Sequence, residues 1–147
     1  VISDTHGLLR PEALAALAGV EHVLHAGDVG DPRILDALRE IAPLTAIRGN
    51  IDREGTCGAL PAVEMIELAG VSFYMLHDLG ELDLDPVAAG IGVIVSGHSH
   101  RSLVDWRRGV LYFNPGSAGP RRFSLPVTLG LVELRDGRPR ASIVELL

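Results

Sequence analysis

The chain has 147 residues, of which 47% are hydrophobic and 22% charged, a length that suits one domain able to bury about two-thirds of its unfolded surface. A formal charge of -6 and a pI near 5.4 argue against the broad basic face that nucleic acid requires. Mean hydropathy is +0.27, yet no apolar run reaches the ~20 residues a bilayer span needs, so the chain is expected to be soluble and cytoplasmic, with no membrane partner. A lone cysteine, Cys57, excludes an internal disulfide and fits a reducing compartment. The chain opens at Val1 almost directly into a polar motif, so a few residues of a first strand are expected ahead of it, and no leader is visible.

In chain order, short apolar runs alternate with helical patterns, as in α/β folds. Val1 to Ser3 reads as the tail of a buried strand, Pro11 to Leu17 as a helix with Pro in its first turn, and His22 to Ala26 as a second strand. Asp31-Pro32 supplies an N-cap followed by Pro, and Ile34, Leu35, Leu38 and Ile41 give the helix after it one apolar face. Leu44 to Ile47 is the third strand. The second half changes to hairpins. Val63 to Leu68 and Val71 to Leu76 flank Ala69-Gly70, and Val93 to Ser96 is a short strand. Leu103 to Trp106 and Val110 to Phe113 surround Arg107-Arg108-Gly109, and Val127 to Leu134 and Arg140 to Leu146 surround Asp136-Gly137. A mixed or antiparallel second sheet follows, with Asp85 to Ala89 as its best short helix.

Polar motifs stand at the ends of the apolar runs. Asp4 and His6 alternate, so an extended segment points both to one side. Alone, the pair reads equally well as a turn cap and a surface histidine. Gly27-Asp28 and Gly49-Asn50 are individually ordinary turns. Gly97-His98-Ser99-His100 is the stronger signal, because each ring leaving the apolar run Ile94-Val95 needs a hydrogen-bond partner or a metal. His77 closes the run Phe73 to Leu76 and by itself reads as a core histidine, as does His25 in the second strand. The conjunction carries the argument. Loops beyond strand carboxyl ends converge in α/β sheets, and seven carboxylate, amide and imidazole donors exceed what one ion uses. Two ions about 3.5–4 Å apart and sharing a carboxylate would account for the number, with Mn²⁺, Fe or Zn²⁺ suited to the donors.

Asp4-x-His6, Gly27-Asp28, Gly49-Asn50-x-Asp52, His77 and Gly97-His98-x-His100 occur in an order that resembles the calcineurin-like metallophosphoesterase superfamily. The closest likeness is to its small single-domain bacterial and archaeal phosphodiesterases, whose Asn-Pro-Gly-Ser turn Asn114-Pro115-Gly116-Ser117 also resembles. The resemblance covers nearly the whole chain and implies a single domain over 1–147, an α/β/β/α sandwich of two mixed sheets flanked by helices. It further implies a first metal on Asp4, His6, Asp28 and His100 and a second on Asp28, Asn50, His77 and His98, bridged by Asp28. Two divalent ions, Mn²⁺ foremost with Fe, Zn²⁺ or Ni²⁺ as alternatives, would provide a bridging hydroxide to attack phosphorus in a small phosphate ester. Asp28, Asn50 and His98 are expected to carry the catalysis.

Two positions depart from the pattern. A histidine that assists the leaving group follows the Asn in many members, and here Ile51 stands in its place, leaving Asp52 without its usual imidazole partner. Ile51 is expected to favour substrates whose leaving oxygen needs little protonation. Asp78 replaces a common Gly after the ligand His77 and brings an acidic group near the metals. Of the arginines beside motifs, Arg10, Arg53, Arg101, Arg121 and Arg122, the last two follow the Asn-Pro-Gly-Ser turn and are the candidates for binding substrate. The alternative to an enzyme is a scaffold of the same fold without turnover, as in the retromer subunit of this fold. A nuclease is the weaker third reading. A sheet edge in the hairpin-rich half leaves room for a homodimer or higher homo-oligomer.

Overall fold

The computed structural model describes residues 1–147 and arranges nine strands in two facing layers. In the first layer β1 (Val23–His25) pairs in parallel with β2 (Leu44–Ala46), and β8 (Thr128–Arg135) pairs antiparallel with β9 (Arg138–Glu145). The extended Val1–Ser3 segment joins the two pairs: Ile2 bridges His25 in parallel, and Gly130 N donates to the Val1 carbonyl at 2.8 Å. The second layer is a mixed five-stranded sheet in the order β3 (Val63–Leu68), β4 (Val71–Leu76), β5 (Val93–Val95), β7 (Val110–Asn114), β6 (Leu103–Arg107). The Ala69-Gly70 and Arg108-Gly109 turns make the expected antiparallel hairpins β3/β4 and β6/β7, and β5 lies parallel to both of its neighbours.

The apolar side chains sort by layer. Between the sheets, Leu24, Ala26 and Ile47 meet Phe73, Met75, Val93, Val95, Leu111 and Phe113, all buried; each fully buried side chain of this size contributes about 1.5–3 kcal/mol. On the outer face of the first layer lie α1 (Pro11–Ala16) and α2 (Pro32–Arg39). Pro opens both helices, and the Asp31 side chain accepts from Arg33 N at 2.9 Å to cap α2. Ile34, Leu35 and Leu38 follow at helical spacing and bury against Ile2, Val23 and Leu129. The outer face of the second sheet, Tyr74, Leu76, Ile94 and Val110, is covered by Leu79, Leu82, Leu84 and Ile91.

That cover contains a 3₁₀ turn at Leu79–Glu81 but no helix over Asp85 to Ala89. Asp85 Oδ1 accepts from Val87 N, its carbonyl accepts from Ala89 N, and Ile91 N returns to Pro86, so the segment closes as a turn after one cycle. Gly90, at φ 73°, ends it. A short helix α3 (Gly55–Gly58), hidden by its glycines, lies beyond the Asn50 loop and buries Cys57. No helix is long and apolar enough to cross a membrane. The five-stranded sheet ends at β3 and β6, and β6 leaves Val104 and Trp106 about half exposed.

Candidate metal centre

The Val1–Ser3 segment, β1, β2, β4 and β5 all deliver chain to one end of the sandwich, where the polar motifs follow their carboxyl ends. Five of the seven expected ligands leave their strands through left-handed backbone: Asp4 (φ 56°), His6 (45°), Asp28 (57°), His98 (68°) and His100 (61°). This conformation is uncommon outside glycine and strains L-residues, and it concentrates at functional sites. The preceding glycines serve close approach. A side chain at Gly49 would collide with the Asp28 carboxylate and backbone, and one at Gly97 with Ser3 Oγ and the Asp4 carboxylate.

The side chains converge in two overlapping groups, Asp4/His6/His100 and Asp4/Asp28/His77, each with ligand atoms within 4.8 Å of one another. Asp4 Oδ1 lies 3.3 Å from His100 Nε2, 3.7 Å from His6 Nε2 and 3.8 Å from His77 Nε2. Asp28 Oδ2 lies 3.4 Å from His6 Nε2 and 3.3 Å from His77 Nε2, between the two groups, where a bridging carboxylate would stand. Asn50 and His98 sit at the exposed rim, with Asn50 Oδ1 and His98 Nδ1 3.2 Å apart. Asp4, His6, Asp28, His77 and His100 therefore meet at one place, and the His98 ring adjoins them, its centroid 5.2 Å from that of His77.

The cluster fits cations. Asp4 Oδ1, His77 Nε2 and His100 Nδ1 are buried without a hydrogen-bond partner, although buried polar atoms are seldom left unpaired. For the first two, the neighbours available are each other and further ligand atoms, a donor set of hard oxygen and imidazole nitrogen suited to divalent metals. Burial opposes ionisation of both carboxylates and is outweighed. His100, His6 and Ser3 hold Asp4 well below the usual carboxylate range, and His77 with the Ile51 N–H lowers Asp28. Burial pulls His77 down, but Asp28, the Ala26 carbonyl and Asp4 raise it to about 8. His77 Nδ1 donates to Ala26 O at 2.7 Å, which turns Nε2 to the carboxylates. The field that holds a proton there would hold a cation in its place.

A framework of neutral and charged partners fixes the loops. Ser3 Oγ donates to Asp4 Oδ2 at 2.6 Å, and His98 N donates to the same oxygen at 3.1 Å. Asp52, buried and without an imidazole to orient, accepts from Val29 N (3.0 Å), Gly30 N (3.1 Å) and Gly49 N (2.9 Å), tying the Asp28 loop to the Asn50 loop. Asn114 donates to Gly97 O at 2.9 Å and Ser117 Oγ to Asp4 O at 3.0 Å, which gives the Asn-Pro-Gly-Ser turn its place beside the centre. His25, fully buried, accepts from Gly27 N at Nδ1 and so carries its proton on Nε2, 3.0 Å from Thr5 Oγ1; Thr5 in turn donates to Val29 O. Burial lowers His25 to about 4.

Ile51 is 42% exposed, and its N–H donates to Asp28 Oδ1 at 3.0 Å, so this position steadies a ligand through its backbone. Arg53 Nε donates to Asn50 O at 3.3 Å, and Arg10 is drawn to Gly119 O. Arg121 and Arg122 are exposed; Arg121 turns back to Leu125 O, and neither forms an ion pair or hydrogen bond with a ligand residue. The sequence does not mark Ser3 and Ser117 as contacts of Asp4, nor Asn114 and Thr5 as braces of the Gly97 and Val29 segments. Their signals, Ser beside Asp4 and the Asn-Pro-Gly-Ser turn, become meaningful only once the loops meet.

Known proteins resemble this chain in sequence and in fold. The chain is 35% identical over 130 residues to a probable metallophosphoesterase of Methanocaldococcus jannaschii, a match covering 80% of this chain and 66% of that protein. Among solved structures, an archaeal phosphodiesterase superposes with a TM-score of 0.78 at 21% identity, covering 97% of each chain. Wild-type Vps29 of Entamoeba histolytica, complexed with Zn²⁺, gives 0.74 at 21%, covering 99% of this chain and 97% of that one. At these identities the two structures speak for the fold. The calcineurin-like phosphoesterase superfamily domain matches residues 1–137, and with the convergence of its motifs at one end of the sandwich the chain belongs to that superfamily.

Proposed function

We propose that this protein hydrolyses phosphate esters with two divalent ions, Mn²⁺ first among them, and that its substrates are small phosphodiesters. The observation that carries the reading is the pair of overlapping ligand groups, Asp4/His6/His100 and Asp4/Asp28/His77, with buried Asp4 Oδ1 and His77 Nε2 lacking hydrogen-bond partners. Asp4, His6, Asp28 and His100 would hold one ion and Asp28, Asn50, His77 and His98 the other. Bound there, the ions supply a water of lowered pKa and neutralise charge on the phosphoryl oxygens. Oxygen and imidazole donors, with the only thiol buried away from the ligand groups, favour Mn²⁺ over thiolate-seeking metals.

The chain's own residues set the rest. Asp28 is oriented by the Ile51 N–H, and His77 by the Ala26 carbonyl, so both present one chosen atom to the centre. Ile51 offers no side-chain proton at the rim, which favours diesters that leave as weak bases over substrates needing general acid. An acidic chain must attract an anion locally; Arg53, whose Nε donates to the Asn50 carbonyl, and the exposed Arg121 and Arg122 are proposed as phosphate contacts. The test is hydrolysis of a chromogenic phosphodiester and its monoester in Mn²⁺, with bound ions counted on the same sample. Two ions and diester turnover are expected in the wild type, and turnover is expected to vanish in Asp28→Asn. Protein that binds two ions yet cleaves neither ester would sink the enzyme reading in favour of a scaffold.

A further inference from the structure

We propose that Asp78 is a positioning residue for His98 and, through it, for the second metal site; the inference rests on the two-ion reading above. The two ring nitrogens of His98 have separate surroundings. Nδ1 stands 3.2 Å from Asn50 Oδ1, whereas Nε2 lies 3.9 Å from Asp78 Oδ2. Nδ1 donates to the Asn50 amide oxygen, which can only accept; when Nδ1 instead ligates a cation, the ring proton would stand on Nε2, toward the Asp78 carboxylate.

His98 is the most exposed of the histidine ligands. Its side chain is 46% exposed, its backbone is left-handed, and its ring otherwise meets the edge of His77 at 5.2 Å between centroids. His77, by contrast, is fixed by the Ala26 carbonyl. Asp78 can act on His98 because its two oxygens have different tasks. Oδ1 accepts from Gly80 N at 2.9 Å and caps the Leu79–Glu81 turn, which holds the carboxyl group in place and leaves Oδ2 directed at His98. A carboxylate behind an imidazole ligand fixes the tautomer and makes the ligating nitrogen more basic, so the cation is held more tightly.

Asp78→Asn separates the two tasks, since its amide oxygen still accepts from Gly80 while the charge is lost. Mn²⁺ uptake by the purified protein is followed through the electron paramagnetic resonance signal of free aquated Mn²⁺, which counts bound ions without any turnover. The wild type should take up two ions. In Asp78→Asn one binding step should weaken about tenfold, the lower range for partners that orient metal ligands, and the other should be unchanged. In a His98→Ala background the same substitution should cost nothing further, because Asp78 then has no ring to orient. An Asp78→Asn isotherm that overlays the wild type, or a tenfold loss that persists without His98, overturns the inference. Fewer than two ions on the wild type overturns the two-ion reading and this inference with it, a result obtained with no Asp78 variant.

Discussion

Removing the Asp52 carboxylate should unfasten the centre from beneath without touching a single ligand. Its oxygens accept three backbone N–H groups, from Val29, Gly30 and Gly49, at 3.0, 3.1 and 2.9 Å, and the residue is 4% exposed. Asp52→Ala leaves those donors without partners. The Val29 donor is buried and the two glycine donors only partly so; an orphaned buried donor costs about 1–3 kcal/mol, so Val29 alone should bring a loss of that size and the glycines a smaller addition, against the ~5–15 kcal/mol typical of a whole domain. Asp52→Asn keeps one acceptor oxygen. If that oxygen serves Val29 and Gly49 in place of Oδ2, the amide nitrogen confronts only the part-buried Gly30 N–H, and the cost should be smaller than in the alanine variant. Urea unfolding of metal-free protein reads the difference as a shift in midpoint at constant m. The order Ala more destabilised than Asn more destabilised than wild type is required. An alanine variant within ~0.5 kcal/mol of wild type, the range of ordinary surface substitutions, would refute the assignment of Asp52 as the tie between the Asp28 and Asn50 loops.

Two further outcomes follow from the same framework. His25 is neutral in the fold at about 4 and titrates near 6.5 once unfolded, so the unfolded chain binds the extra proton between those values. Its contribution is whole above about 6.5 and is lost as pH falls toward about 4, amounting to ~3 kcal/mol at 1.36 kcal/mol per pKa unit. Urea midpoints at successive pH values should show this acid slope in wild type and lack that share of it in His25→Gln; parallel slopes would disprove it. Gly97→Ala drives a methyl into Ser3 Oγ and the Asp4 carboxylate, so Mn²⁺ uptake measured by equilibrium dialysis should fall well before the fold is lost, and unimpaired uptake would count against the close packing of these two loops.

What could be read from sequence, and what could not, divides along physical lines. The hairpins at Ala69-Gly70 and Arg108-Gly109 were legible because turn chemistry and alternation agree locally, and α2 because cap, Pro and apolar spacing coincide. The seven candidate ligands were legible because an ion requires particular donor types and strand ends gather them. Asp85 to Ala89 misled because Asp-Pro followed by small and apolar residues also begins a tight turn, and only the return of Ile91 N to Pro86 decides between the two. The purpose of Asp52 was hidden for a different reason. Without a histidine beside it the sequence offers no partner, and its three donors come from backbone more than a dozen residues away as well as next door. Backbone N–H groups are the same at every position, so a carboxylate that serves them leaves no motif.

The same reasoning explains why a strained site can stand. Five non-glycine residues in the left-handed region, each costing on the order of 1–3 kcal/mol, would rival the stability of the domain if nothing offset them. Four of the five are held by named hydrogen bonds: Asp4 by Ser3, Ser117 and the Gly27 carbonyl, His6 by the Asp28 carbonyl, Asp28 by the Ile51 N–H, and His98 by its own N–H to the Asp4 carboxylate. Apart from Ser3, the neighbour of Asp4 in the chain, each restraint comes from a strand end other than that of the residue it holds, so no loop is fixed by its own residues alone. The centre is therefore assembled by the meeting of the two sheets rather than by any of its motifs. That is why the core residues Phe73, Met75, Val95 and Phe113, which touch no ligand chemistry, are as much a condition of the site as the carboxylates themselves.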